Sequence, residues 1–214
     1  MAGEMDTGTR RRALALNLFG VIFSDHDSVP VPGTDLVAVR DLAAIVAESP
    51  YTALEPNEEG VTRMSDVIGA YQSRSAVLPA PVGVVFRTRD AVHRWLELHY
   101  VALSDALSFV DGRAVGRVHV WRPGASDERD VGSDLAAAAA ESLRILRRSA
   151  VATVPLRTEK LTGIVLSAAF LVELELWKEF AAKVDEQGSQ SPNLRFELTG
   201  PWPPYDFVNM QFGG

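Results

Sequence analysis

The order of hydrophobic periodicities between residues 114 and 199 constrains this chain more than any other feature of its sequence. Ala114 to Trp121 reads as a strand, closed by Arg122-Pro123-Gly124, and the polar stretch Gly124 to Gly132 suits an exposed loop. Ser133 opens an alanine-rich helix that runs to about Arg148. Its Arg144, Arg147 and Arg148 place cations at the negative end of the helix dipole. Val151 to Arg157 and Gly163 to Leu171 read as strands around the turn Thr158 to Thr162, although Ala168-Ala169 also suits a helix. Leu174, Trp177, Ala181 and Val184 recur at helical spacing, with Glu179 and Lys183 as an i,i+4 pair, and Gln187 to Pro192 reads as a loop. Leu194, Phe196 and Leu198 then alternate with Arg195, Glu197 and Thr199, the pattern of a half-buried strand. The order is β-α-β-β-α-β. It predicts a ferredoxin-like arrangement, with two helices on one face of a four-stranded antiparallel sheet.

The residues before it predict a separate unit. Leu14, Leu16 and Leu18 alternate and Val21-Ile22 follow, so residues 13–23 read as a strand. Arg10-Arg11-Arg12 before this apolar run resembles the start of an export signal. Glu4, Asp6, Asn17 and the following Ser24-Asp25-His26-Asp27 argue instead for a buried first strand. Leu36 to Arg40 and Leu42 to Val46 are short strand-like runs. Asn57 caps a helix with Glu58 and Glu59 in its first turn and Val61, Met64, Ile68 and Tyr71 on one face. Pro79 and Pro81 end that element and Val82 to Phe86 form a strand. Thr88 and Asp90 open a second helix whose apolar stripe is Val92, Trp95, Leu96, His99, Leu103 and Leu107, and Asp111-Gly112 marks a turn. The chain is therefore read as α+β with two domains. A loose arm spans 1–12, an N-terminal α/β-mixed domain 13–111, a ferredoxin-like domain 112–199, and a proline- and aromatic-rich tail 200–214.

Charge narrows the partners. With 21 basic and 28 acidic side chains the net charge is −7, a sign that repels phosphate backbones and anionic lipid. The chain has no cysteine, which removes disulfides and thiolate chemistry and fits a reducing cytoplasm. His26, His93, His99 and His119 show no metal-ligand spacing, and Asp25-His26-Asp27 reads as a solvated connection. Glu173 and Glu175, on a helix with an apolar opposite face, read as solvated charges rather than an acid–base pair. No phosphate-binding or nucleophile-elbow motif is present. Neither catalysis nor a cofactor is expected.

The tail carries Gly200-Pro201-Trp202-Pro203-Pro204-Tyr205-Asp206-Phe207-Val208. Three prolines in four residues remove backbone donors and favour polyproline II, in which Trp202 and Tyr205 would share one side. Such a segment either packs its rings into a groove of its own protein or serves as an epitope with P-x-x-P spacing at Pro201 and Pro204. Docking is favoured, because Trp202, Tyr205 and Phe207 are a large apolar load to leave in water. A fully docked Trp202 implies a cost of about 3–5 kcal/mol on truncation to alanine.

The block Leu198-Thr199-Gly200-Pro201-Trp202-Pro203-Pro204-Tyr205-Asp206-Phe207-Val208 resembles the terminal signature of the gas vesicle protein F/L family. Ala168-Ala169-Phe170-Leu171-Val172 is similar to that family's strand before its last helix. Phe19-Gly20-Val21 is similar to its first strand, and Val77-Leu78-Pro79 with Gly83 and Phe86 to its mid-domain motif. Pro81 and Val82 stand where the family usually carries an arginine and an aromatic residue, and Val84 where it carries threonine. The resemblance implies a non-enzymatic accessory role in gas vesicle assembly, as a minor shell component or chaperone-like factor. It also implies a cytoplasmic, vesicle-associated location. The implied partners are the hydrophobic shell protein and other accessory proteins, with no nucleic acid, membrane or small-molecule substrate. Gly200, Pro201, Trp202, Pro203, Pro204, Tyr205 and Phe207 are the signature residues expected to dock the tail or meet a partner. A small-molecule-binding protein or enzyme that retains the same scaffold is the alternative.

Overall fold

A computed structural model describes residues 14–24, 29–50, 57–123, 133–158 and 163–208. The expected arm, the Asp25-His26-Asp27 connection, the Gly124–Gly132 loop and most of the Thr158–Thr162 turn lie outside those residues. The described chain is mixed α+β, with two antiparallel sheets and four α-helices.

The first sheet is built on β1 (Leu14–Phe23). It pairs with β3 (Leu42–Pro50), which pairs with β2 (Asp35–Val39); on its other side β1 meets β4 (Val77–Pro79) and β5 (Val85–Phe86). A register slip between Leu18 and Gly20 exchanges the two faces of β1. Leu16, Leu18, Val21 and Phe23 join one core, and Phe19 and Ile22 the other. A Cβ at Gly20 would stand 2.6 Å from the Leu78 carbonyl oxygen, so the close approach of β4 excludes any side chain there.

Helices cover both faces. The first, α1 (Glu58–Gln72), is capped by Asn57, whose Oδ1 accepts from the Gly60 N–H at 2.7 Å. It buries Met64, Val67, Ile68 and Tyr71. Val61, expected in that stripe, lies in the first turn and is 49% exposed, and Val67 fills the core instead. The second, α2 (Arg89–Val110), is capped by Thr88 and packs Val92, Trp95, Leu96, Leu103, Leu107 and Val110 on the opposite face of the sheet. His99 sits within this stripe, half-buried, with Nδ1 2.8 Å from the Trp95 carbonyl oxygen. The strand expected over Val82–Phe86 is shorter, because residues 82 and 83 form a turn. Even so, Val84 keeps a sheet role, its carbonyl accepting from Leu18 N–H at 2.8 Å.

The turn at Asp111-Gly112 leads into β6 (Arg113–Trp121). There follow α3 (Ser133–Leu146), β7 (Ala152–Pro155), β8 (Ile164–Glu173), α4 (Trp177–Gln190) and β9 (Arg195–Trp202). The sheet order is β7-β8-β6-β9, every pair antiparallel. Val118, Val120, Phe170 and Val172 pack against Ala139 and Leu146 of α3 and Phe180 and Val184 of α4, so both helices lie on one face. Ala168-Ala169 is strand, inside β8.

Three local expectations change. Leu174 stands in a 3₁₀ turn before α4, half exposed, and Phe180 takes the core position, its ring 5.3 Å from that of Phe170. Glu173 ends β8 rather than riding on a helix, and it accepts from Arg113 Nε at 3.0 Å. The loop expected from Gln187 begins later, since α4 runs to Gln190 and buries Gln187.

Candidate interaction site at the C-terminal segment

Strand alternation sends Val115, Arg117, His119 and Trp121 of β6 to the sheet face that α3 and α4 leave uncovered. The end of the chain crosses this face. β9 continues through Gly200 and Pro201 to Trp202, which pairs with Val115 after a register slip, and residues 205–207 form a 3₁₀ turn. The segment is therefore strand and turn, not the polyproline helix read from its prolines. Proline is tolerated because β9 is an edge strand, where a missing N–H leaves no ladder partner unsatisfied. Gly200 has φ +126, and a Cβ there would stand 2.5 Å from the Val115 carbonyl oxygen. Only glycine fits that corner.

The seven signature residues separate by direction. Gly200 and Pro201 are exposed on β9, Trp202 is 44% exposed, Pro203 is half-buried, and Tyr205 is 38% exposed. Pro204 is buried. Phe207 packs on Val115, Ala169 and Leu171. The docking contact thus belongs to Pro204 and Phe207, together with two residues that the sequence reading did not single out. Asp206 accepts two hydrogen bonds from Arg117, Nε to Oδ2 at 2.8 Å and Nη2 to Oδ1 at 3.1 Å. Val208 packs against the α2-side core of the first sheet. Asp206 is the only charged residue in its block, the one available signal; Arg117 lies 89 residues away and carried none. Trp202 spends its indole N–H on Thr199 Oγ1 at 3.1 Å, leaving the ring on the surface.

The same face carries a polar row beyond the docked segment. His119 is opposite Ser167 on β8 and Glu197 on β9. Its Nδ1 lies 2.6 Å from Ser167 Oγ. Burial lowers the His119 pKa; the charge of Glu197 opposes this and Arg117 adds to it. The imidazole is therefore neutral at neutral pH. Ser167 is 5% exposed, so its hydroxyl anchors His119 from below rather than facing a reactant. Arg195 lies over the Trp121 ring at 5.6 Å.

A cavity of about 580 Å³ opens on the first sheet, lined by Leu16, Asp35, Glu48, Arg63 and Arg89 among others. Arg89 pairs with Asp35 and holds its carboxyl below the usual carboxylate range, so Asp35 is a fixed anion and not a proton carrier. Among the described residues no group of three or more His, Asp or Glu is placed to hold a metal ion, and no helix is long and apolar enough to cross a membrane.

Comparison with known proteins bears on both sheets. The family model described as gas vesicle synthesis protein GvpL/GvpF matches residues 19–131 and 121–209. Gas vesicle protein F2 of Halobacterium salinarum is 28% identical over 208 residues, covering 94% of this chain and 88% of that protein. Gas vesicle protein L of a Streptomyces species is 30% identical over 179 residues, 67% of this chain and 66% of that protein. The crystal structure of GvpF from Anabaena superposes with a TM-score of 0.75 at 15% identity, over 94% of this chain and 98% of that one. GvpF from Microcystis aeruginosa gives 0.72 at 13% identity, over 92% and 99%. These two likenesses bear on the fold alone. With the family model matching both halves of the sequence, the chain belongs to the gas vesicle synthesis protein GvpL/GvpF family.

Proposed function

We propose that this protein is a non-enzymatic accessory factor of gas vesicle assembly that binds the hydrophobic shell protein, as a minor shell component or chaperone-like factor in the cytoplasm. Family membership across both sheets is the observation that carries this reading. The exposed rings of the terminal block support placing the contact there. Pro204, Asp206 and Phe207 face inward, while the neighbouring rings of Trp202 and Tyr205 remain on the surface. Aromatic rings held in a fixed setting are suited to gripping an apolar partner, because little conformational entropy is lost on contact. The reading treats the chain as two domains, split at the Asp111-Gly112 turn. The order β6-α3-β7-β8-α4-β9, with sheet order β7-β8-β6-β9, supports a ferredoxin-like second domain.

Co-expression with the shell protein tests it. The intact chain should retain the shell protein on purification. Trp202→Ala/Tyr205→Ala should lose that retention while lowering the melting temperature by only a few degrees. Absence of retention by the intact chain, of the shell protein or any other vesicle component, rejects the role. Retention by the double variant rejects the location.

A further inference from the structure

The outward face of α2 exposes apolar side chains that its own fold does not use. Leu98 is 80% exposed and Val101 69%, while the residues of the opposite face hold the helix to the first sheet. Arg94, Leu98, Val101 and Asp105 follow one another at spacings of four, three and four residues. They therefore lie on one line along the helix, the seam spacing of two helices packed at a shallow angle.

An exposed Leu–Val pair alone names no occupant, but the charges that bracket it do. Arg94 stands one turn before Leu98, and Asp105 one turn after Val101. Arg94 Nε makes only a long contact, 3.4 Å, to the Asp90 carbonyl oxygen. Among the described residues neither Arg94 nor Asp105 enters an ion pair. A second α2 laid antiparallel, with a two-fold axis midway between Leu98 and Val101, sets Leu98 of each copy on Val101 of the other. The same operation sets Arg94 of each copy beside Asp105 of the other, at both ends. A parallel pairing would instead oppose like charges, so the sequence of the stripe selects the antiparallel one.

We propose that the Arg94–Leu98–Val101–Asp105 face of α2 is a self-complementary docking surface for α2 of a second copy of this chain. The stripe is about 16 Å long at 1.5 Å per residue. An interface of that length falls in the weak, transient class, and the dimer therefore forms and dissociates with protein concentration.

Sedimentation velocity of the full chain between about 1 µM and about 1 mM measures it. A concentration-dependent dimer is expected. Arg94→Asp alone, or Asp105→Arg alone, should raise the dissociation constant at least about tenfold, since both ion pairs become repulsions. Mixing the two variants should restore a heterodimer, because each reversed charge then meets its opposite. Leu98→Gln should also weaken the dimer, and melting temperatures should stay at the wild-type value in every variant. A wild-type chain that is monomeric throughout, a dimer indifferent to these charges, or a mixture that fails to pair would each overturn the proposal, including when the stripe captures a different protein.

Discussion

Arg117 and Asp206 meet across the whole second half of the chain, and the worth of their pair depends on how much water reaches it. Asp206 retains 14% of its side-chain exposure and Arg117 35%, so the carboxylate has already given up most of its hydration. Two hydrogen bonds from one guanidinium replace it. Asp206→Ala leaves Arg117 half-covered and unpaired, and should cost about 2 kcal/mol in urea denaturation at neutral pH. An unchanged midpoint would show that the pair only decorates the surface. His119 makes a prediction in pH. Burial puts its folded pKa below the ordinary 6.5. Near and below 6.5 the unfolded chain therefore binds more protons than the folded one, and stability rises with pH. The effect is fully in place above 6.5 and is lost on acidification toward the folded pKa. His119→Gln should flatten the loss of stability between about pH 7 and 5. Equal slopes for variant and wild type would remove His119 as its source.

At the scale of elements, the terminal segment separates what side-chain chemistry reveals from what pairing decides. Its prolines and rings are legible as a stiff, apolar block, yet its backbone state is not. Whether Pro201 breaks a strand or ends an edge strand depends on which side of β6 the last strand occupies. The same limit runs through the fold. Helical stripes placed α1, α2 and α4, and Asn57 and Thr88 marked their starts, because caps and periodicity are local. The slip at Leu18/Gly20, the exposure of Val61 and the burial of Phe180 instead of Leu174 depend on partners distant in sequence. For the tail this yields a contrast between two rings. Phe207, seated on Val115, Ala169 and Leu171, should lose about 2 kcal/mol on truncation to alanine. Trp202, 44% exposed, should lose under about 1 kcal/mol, well below the cost of a fully docked ring. Thermal melts of the two variants decide it; a larger loss at Trp202 would reverse the assignment of docked and surface rings.

For the whole molecule, the question is what keeps the two sheets in one arrangement. Their helices serve separate cores, and the covalent link is only the Asp111-Gly112 turn, supported by Leu174 N–H donating to the Gly112 carbonyl at 2.9 Å. The terminal segment adds a second connection far from the first in sequence. Phe207 packs on the second sheet and its neighbour Val208 on the α2-side core of the first, with Asp206 fixing both through Arg117. A strap of this kind acts on both cores at once, since releasing Phe207 also withdraws Val208. Asp206→Ala/Phe207→Ala should therefore raise amide hydrogen exchange about tenfold or more in α2 as well as in β6. The two losses should also be non-additive, because the residues are adjacent and share one docking event. Faster exchange confined to β6, β8 and β9 would mean that the terminus stabilises only the sheet it crosses. In that case the turn at Asp111-Gly112 would be the joint that sets the geometry, and Trp202 and Tyr205 would be carried by the second sheet alone.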